Sequence, residues 1–252
     1  MERTHFGVPR INSLQRLWLR EMGIEKIWAG QPTLSGPAVE SVAALPMSAP
    51  TASIQRPTVG GADALRRVTL DQLQQQVMSC VACGLCQHRR QAVFGTGAPT
   101  ARWLVVGEAP GEQEDRQGLP FVGRSGQLLD AMLASVGMSR KSNVYITNVI
   151  KCRPPANRNP RPEEIAACSP YLKRQIDLLK PERILVVGRF AAQTLLGTDA
   201  TIGSLRGRVH TFKSEEGRTI PLVVSYHPAY LLRSPLEKAR AWQDLRLAAG
   251  LR

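Results

Sequence analysis

Four short apolar runs constrain the fold of this chain more than any other feature: WLVV at 103–106, VYITNV at 144–149, ILVV at 184–187 and LVVS at 222–225. Each is too short for an ordinary helix and rich in β-branched residues, so each reads as a strand buried on both faces. Longer stretches with helical spacing separate and follow them, at 125–136, 162–179, 190–196 and 235–249. Strands and helices alternating in this way predict an α/β fold, a mostly parallel sheet covered by helices on both sides. A further helix is expected over 68–80, ahead of the first strand.

A parallel sheet of this kind binds ligands at the carboxyl ends of its strands. The polar and glycine-rich residues gather at those ends. Gly107-Glu108-Ala109-Pro110-Gly111 follows the first strand, Asn148 closes the second, Gly188-Arg189 follows the third and His227-Pro228 the fourth. The first loop is neither GxGxxG nor a Walker motif, so neither a dinucleotide nor a nucleoside triphosphate is supported.

Charge narrows the class of partner. Thirty-three Lys and Arg against twenty Asp and Glu give a net charge of +13, which favours a polyanion, nucleic acid ahead of an anionic membrane. No run approaches the roughly eighteen apolar residues of a membrane span, and the first residues lack the pattern of a secretory signal, so a cytoplasmic protein is expected. Residues 1–30 hold a short amphipathic helix over 11–28, a candidate partner-binding segment. Residues 31–65, rich in Pro, Ala, Ser, Thr and Gly, read as a flexible linker. Residues 66–252 form the folded domain, expected to be a monomer.

The five cysteines do not look like a secreted disulfide framework. Cys80 and Cys83 are spaced CxxC, and Cys152 and Cys168 lie far downstream with fifteen residues between them. Each pair can give two thiolates to one metal site, and soft sulfur ligands narrow the metal to zinc or an iron-sulfur cluster. The wide separation of the second pair favours the cluster. Cys86 extends the first group to C-x2-C-x2-C and leaves the choice of fourth ligand open.

Two side chains at the strand ends suit a particular chemistry. The carboxamide of Asn148 donates to one atom and accepts from a neighbour, which matches the carbonyl and N–H edge of uracil and mismatches cytosine. His227 can direct a donor at a base that leaves with negative charge when its glycosidic bond is cut. Phe121, in GLPFVG, can stack on a base drawn out of a duplex. Taken singly, each of these residues is more commonly structural; it is their company at the strand ends that raises them.

The segments CVAC, VFGTGAP, VVGEAPGEQEDRQGLPFVGRSGQLLD, VYITNVIKCRPPANRNPRPEEIAAC and SYHPAYLLR together resemble the family 4 uracil-DNA glycosylases, the iron-sulfur type, over about 70–247. The resemblance implies a three-layer α/β/α sandwich with a central four-stranded parallel sheet, and a [4Fe-4S] cluster held by Cys80, Cys83, Cys152 and Cys168, with Cys86 spare. It implies that Glu108, Ala109 and Pro110 line a uracil pocket with Glu114 nearby, that Phe121 stacks on the base, that Asn148 reads its edge and that His227 stabilises the departing anion. Related glycosylases place an Asp where Ala109 stands here, so Glu114 or Asn157 is expected to orient the attacking water. Arg89, Arg90, Lys151, Arg153, Arg158, Arg206, Arg208 and Arg233 are candidates for gripping DNA phosphates.

Two other functions compete: a non-catalytic iron-sulfur DNA-binding protein on the same scaffold, and an electron carrier, which would leave the strand-end residues idle. Within the N-terminal segment, LWLREMGIEKIW is similar to the short peptide by which the psi subunit of the bacterial replicase docks to its clamp loader. That likeness implies a replication or repair protein as partner.

Overall fold

The computed structural model describes residues 68–251. The expected amphipathic segment at 1–30 and linker at 31–65 lie outside the described residues, as does the beginning of the domain at 66.

Helix α1 (Leu70–Met78) opens with a reciprocal cap: Thr69 Oγ1 accepts from the Gln72 amide, and Gln72 Oε1 accepts from the Thr69 amide. The four apolar runs become the parallel strands β2 (Trp103–Gly107), β3 (Val144–Asn148), β4 (Arg183–Val187) and β6 (Thr219–Ser225). The sheet itself has six strands, with β1 (Thr96–Gly97) and β5 (Val209–Lys213) added antiparallel at its edges in the order β1-β3-β2-β4-β6-β5. The expected four-stranded parallel sheet is therefore the core of a mixed one. The edge strands escape sequence reading for physical reasons. β1 is two residues long, and β5 turns most of its side chains to solvent, so neither carries an apolar run.

Side chains alternate across the pleat and divide the core in two. Leu104, Val106, Ile184, Val186, Leu222 and Val224 face one way and meet Leu73 and Val77 of α1 together with Leu172 and Ile176 of α4 (Pro162–Leu179). Trp103, Val105, Ile146, Leu185, Val187 and Val223 face the other way, against Leu129 and Leu133 of α3 (Arg124–Ala134) and Ala241 and Leu245 of α8 (Lys238–Gly250). These two cores make the three layers. Each fully buried Leu or Val contributes about 2 kcal/mol of hydrophobic stabilisation.

Short helices follow the strand ends: α2 (Glu112–Gln117) after β2, α5 (Arg189–Leu196) after β4, α6 (Ile202–Leu205) before β5, and α7 (Pro228–Arg233) after β6. The stretch expected as one helix from 235 begins as a separate turn, Pro235–Glu237, and continues as α8. Among the described residues, no helix is long and apolar enough to cross a membrane.

Candidate active site and metal centre

Strands β2 and β3 end side by side, with Gly107 opposite Asn148. Asn148 is 1% exposed, and its Oδ1 has no hydrogen-bond partner among the described residues. A Cβ placed on Gly107 would stand 2.4 Å from that oxygen and 2.6 Å from Cζ of Phe121. Only a residue without a side chain lets the carboxamide and the aromatic ring converge on the strand end.

Phe121 holds its ring there through an unusual backbone. Its φ is 53°, in the left-handed region that costs a non-glycine residue on the order of 1 kcal/mol. Surrounding groups fix it. The carboxylate of Glu114, on α2, accepts from three backbone amides: Gly111 at 3.1 Å through Oε2, and Val122 at 2.9 Å and Gly123 at 3.1 Å through Oε1. Arg140 donates to the carbonyls of Pro120 at 3.1 Å and Phe121 at 2.9 Å, and to Asp130 at 2.7 Å. Glu114 thus ties the GEAPG loop to the GLPFVG loop. Sequence reading placed Gly107 at this strand end but missed Arg140 as part of the arrangement.

His227 caps α7, its Nδ1 accepting from the Ala229 amide at 3.1 Å. An amide can only donate, so in the neutral ring the proton sits on Nε2. Burial, reinforced by repulsion from Arg233 and opposed by Glu114, pushes the pKa of His227 down to about 4. The ring centroid lies 5.5 Å from that of Phe121, with the planes tilted by 32°. A Cβ on Gly188 would come within 3.3 Å of His227 Cβ.

The GEAPG loop is pinned to the turn after β3: the Val149 amide donates to Gly107 O at 2.9 Å and the Ile150 amide to Glu108 O at 3.2 Å. Pro110 is buried, and Glu108 and Ala109 are half-buried. Burial raises the carboxyl pKa of Glu108 while Arg189 opposes the shift. Asn157 stands apart from this group of contacts, exposed, with its Oδ1 accepting from Arg153 Nε at 2.8 Å.

On the α1–α4 side of the domain, a pocket is lined by Cys80, Cys83, Cys86, Cys152 and Cys168, with Arg89, Lys151 and Tyr171. No three His, Cys, Asp or Glu among the described residues are gathered to hold a single ion. The sulfurs line the walls of a pocket instead. Burial pushes the Cys152 thiol up to about 11 and the Cys168 thiol up to about 12, and raises that of Cys83. N–H groups point at several of these sulfurs: Arg89 Nη1 at 2.8 Å from Cys152 Sγ, the Lys151 amide at 3.3 Å from Cys168 Sγ and the Ala82 amide at 3.5 Å from Cys80 Sγ. Buried thiols met by donors fit bound thiolates, whose charge those donors stabilise.

Lys151 connects the two regions. It is 1% exposed, and its Nζ donates to Thr147 Oγ1 at 2.7 Å, to the Asn148 carbonyl at 2.7 Å and to Gln175 Oε1 at 2.6 Å. It is therefore not available to grip a phosphate, contrary to expectation. Arg89 also turns inward, to Cys152 and to the carbonyls of Met78 and Cys80. Arg158 pairs with Glu164, and Arg206 with the buried Asp244. Arg90, Arg208 and Arg233 remain exposed.

The model of the uracil DNA glycosylase superfamily matches residues 94–246, which include every strand-end loop described above. The chain belongs to the uracil-DNA glycosylase superfamily. It is 43% identical over 171 residues to the type-4 uracil-DNA glycosylase of Sulfurisphaera tokodaii, a match covering 66% of this chain and 77% of that protein. The type-4 enzyme of Archaeoglobus fulgidus is also 43% identical, over 66% of this chain and 85% of its own length. That of Pyrobaculum aerophilum is 41% identical, over 72% of this chain and 93% of its own. Within the superfamily match fall Asn148, Phe121 and His227, along with Cys152 and Cys168; Cys80 and Cys83 precede it.

Proposed function

We propose that this protein is a type-4 uracil-DNA glycosylase, which hydrolyses the N-glycosidic bond of deoxyuridine in DNA, frees uracil and leaves an abasic site for base excision repair. The observation that carries this reading is the buried Oδ1 of Asn148, without a partner among the described residues. A buried acceptor without a donor is costly, and such groups are uncommon in folded proteins unless something else completes them. The N3–H of uracil is a donor of the right kind. With Oδ1 taken by N3–H, the amide NH2 of Asn148 donates to O4. Cytosine has no N3–H and an amino group in place of O4, so both bonds fail.

Phe121 stacks on the extruded base, and Glu108, Ala109 and Pro110 line its pocket beside the first strand end. His227 supports departure of the base. As the glycosidic bond lengthens, negative charge gathers on uracil, and an Nε2–H aimed at O2 stabilises it without first giving up a proton. The low pKa of His227 suits that part, since the ring stays neutral at physiological pH. Glu114, with both oxygens engaged by backbone amides, holds the two loops beside the base; Asn157, exposed and with its Oδ1 taken by Arg153, has no contact that favours it for orienting the attacking water.

Cys80, Cys83, Cys152 and Cys168 would hold a [4Fe-4S] cluster in the thiol-lined pocket, with Cys86, which also lines it, as the spare. When bound, the cluster supplies cross-linking of distant segments; hydrolysis of this bond consumes no electron. The type-4 relatives, the shared pocket and the N–H donors facing sulfur support this choice over zinc. Uracil-containing DNA is the partner, met through exposed basic residues such as Arg90, Arg208 and Arg233. We place the enzyme in the cytoplasm as a monomer.

Matched oligonucleotides carrying U, T, C or hypoxanthine test the reading. Alkali-labile abasic sites are expected with U. Intact strands in every case, with metal-loaded protein, would overturn the reading and leave the non-catalytic DNA-binding protein and the electron carrier.

A further inference from the structure

We propose that Arg140, on the loop after α3, is a positioning residue that holds Phe121 in its left-handed conformation and so keeps the ring where it stacks on uracil; this rests on the glycosylase reading above. The backbone from Pro120 to Gly123 is gripped from two sides. Glu114 takes the amides of Val122 and Gly123, on the far side of Phe121. Arg140 takes the carbonyls of Pro120 and of Phe121 itself. A planar guanidinium can reach two adjacent carbonyls at once, and its third contact, Asp130 on α3, fixes the direction from which it does so.

The close approach of Gly126 shows how tightly this placement is drawn. A Cβ there would fall 1.8 Å from the Phe121 carbonyl oxygen, so that carbonyl lies directly over the first turn of α3. A residue with φ of 53° that is not glycine persists only when its surroundings over-determine it. Without Arg140, one of the two restraints on the Phe121 peptide is gone. The two carbonyls it served can turn to water, and the ring is free to leave Asn148 and His227. The side chain of Arg140 is 20% exposed, so water can reach the carbonyls it leaves.

A double-mutant cycle separates positioning from simple support of the fold. Glycine adopts a positive φ without strain, so Phe121→Gly removes both the stacking ring and the need to restrain it. On a uracil oligonucleotide under single-turnover conditions, Arg140→Gln is expected to lower kcat/KM about tenfold, an ordinary coupling between neighbouring residues. The same variant should weaken inhibition by free uracil in proportion, and cost almost nothing in the Phe121→Gly background. Melting temperature and visible absorbance confirm that each variant is folded and metal-loaded. Equal losses in the two backgrounds, or no loss in either, would overturn the assignment while leaving the glycosylase intact; a wild-type enzyme inert on uracil would overturn both. If Arg140→Gln does not fold, Arg140→Lys retains the Asp130 pair with a single carbonyl contact, and the cycle is run with it for a smaller loss.

Discussion

Asn148 and Gly107 face each other across the ends of two parallel strands, with no room for a methyl group between the carboxamide oxygen and the Gly107 backbone. Gly107→Ala therefore pushes on Asn148 and Phe121 together. A displacement of about 1 Å at a reacting site costs roughly a hundredfold in rate, and we expect a loss of at least that order in kcat/KM. Single-turnover kinetics on a uracil oligonucleotide measure it, and near-wild-type turnover would show that the strand end has slack.

Replacing Asn148 by Leu should separate stability from activity. The change removes a buried oxygen that has no partner among the described residues and keeps the side chain close in size. Removing an unpaired buried polar atom is neutral or stabilising. The melting temperature should stay level or rise, while uracil release falls by roughly a thousandfold or more, as when a site built on hydrogen bonds loses them. A marked drop in melting temperature would mean that Asn148 serves the fold first.

The acid side of the pH range is governed in part by His227. Above pH 6.5 the ring is neutral in both the folded and the unfolded chain. As pH falls below that, the unfolded chain takes up a proton that the folded site refuses until about pH 4, so this residue's contribution to stability is lost across the window between them. Activity should show no inflection near pH 6.5. Arg233→Gln, which removes a repelling charge, should move the imidazole titration upward in an NMR experiment; an unchanged titration would leave burial as the whole cause.

Much of this was legible in the primary structure. The central strands announce themselves because a strand covered on both faces must be apolar at every position. β5 does not, because it is half solvated, and β1 is too brief to carry any pattern. Asn148 and His227 could be found by their place at strand ends, since sheet topology fixes where a ligand sits. Arg140 could not. Its contacts join a loop to a peptide 19 residues away, and nothing in the local run GMSRKS records that reach. Lys151 and Arg89 looked like phosphate-binding charges for the converse reason: sequence shows a charge without showing which way it turns.

The cysteine pocket gives a sharp contrast between two of the thiols that line it. Cys168→Ser should abolish the visible absorbance and lower the iron content, whereas Cys86→Ser should keep both. Iron analysis beside the absorption spectrum decides it. If Cys86→Ser loses the metal, the ligand set must be redrawn.

Three residues separate Asn148 from Cys152, and Lys151 lashes that interval into a turn as its Nζ donates to the Asn148 carbonyl. The stretch works as a ruler of fixed length. An insertion of even one residue between 149 and 151 would throw the thiol and the carboxamide out of step, so the loop has no freedom to lengthen at that point without damaging both halves of the molecule at once.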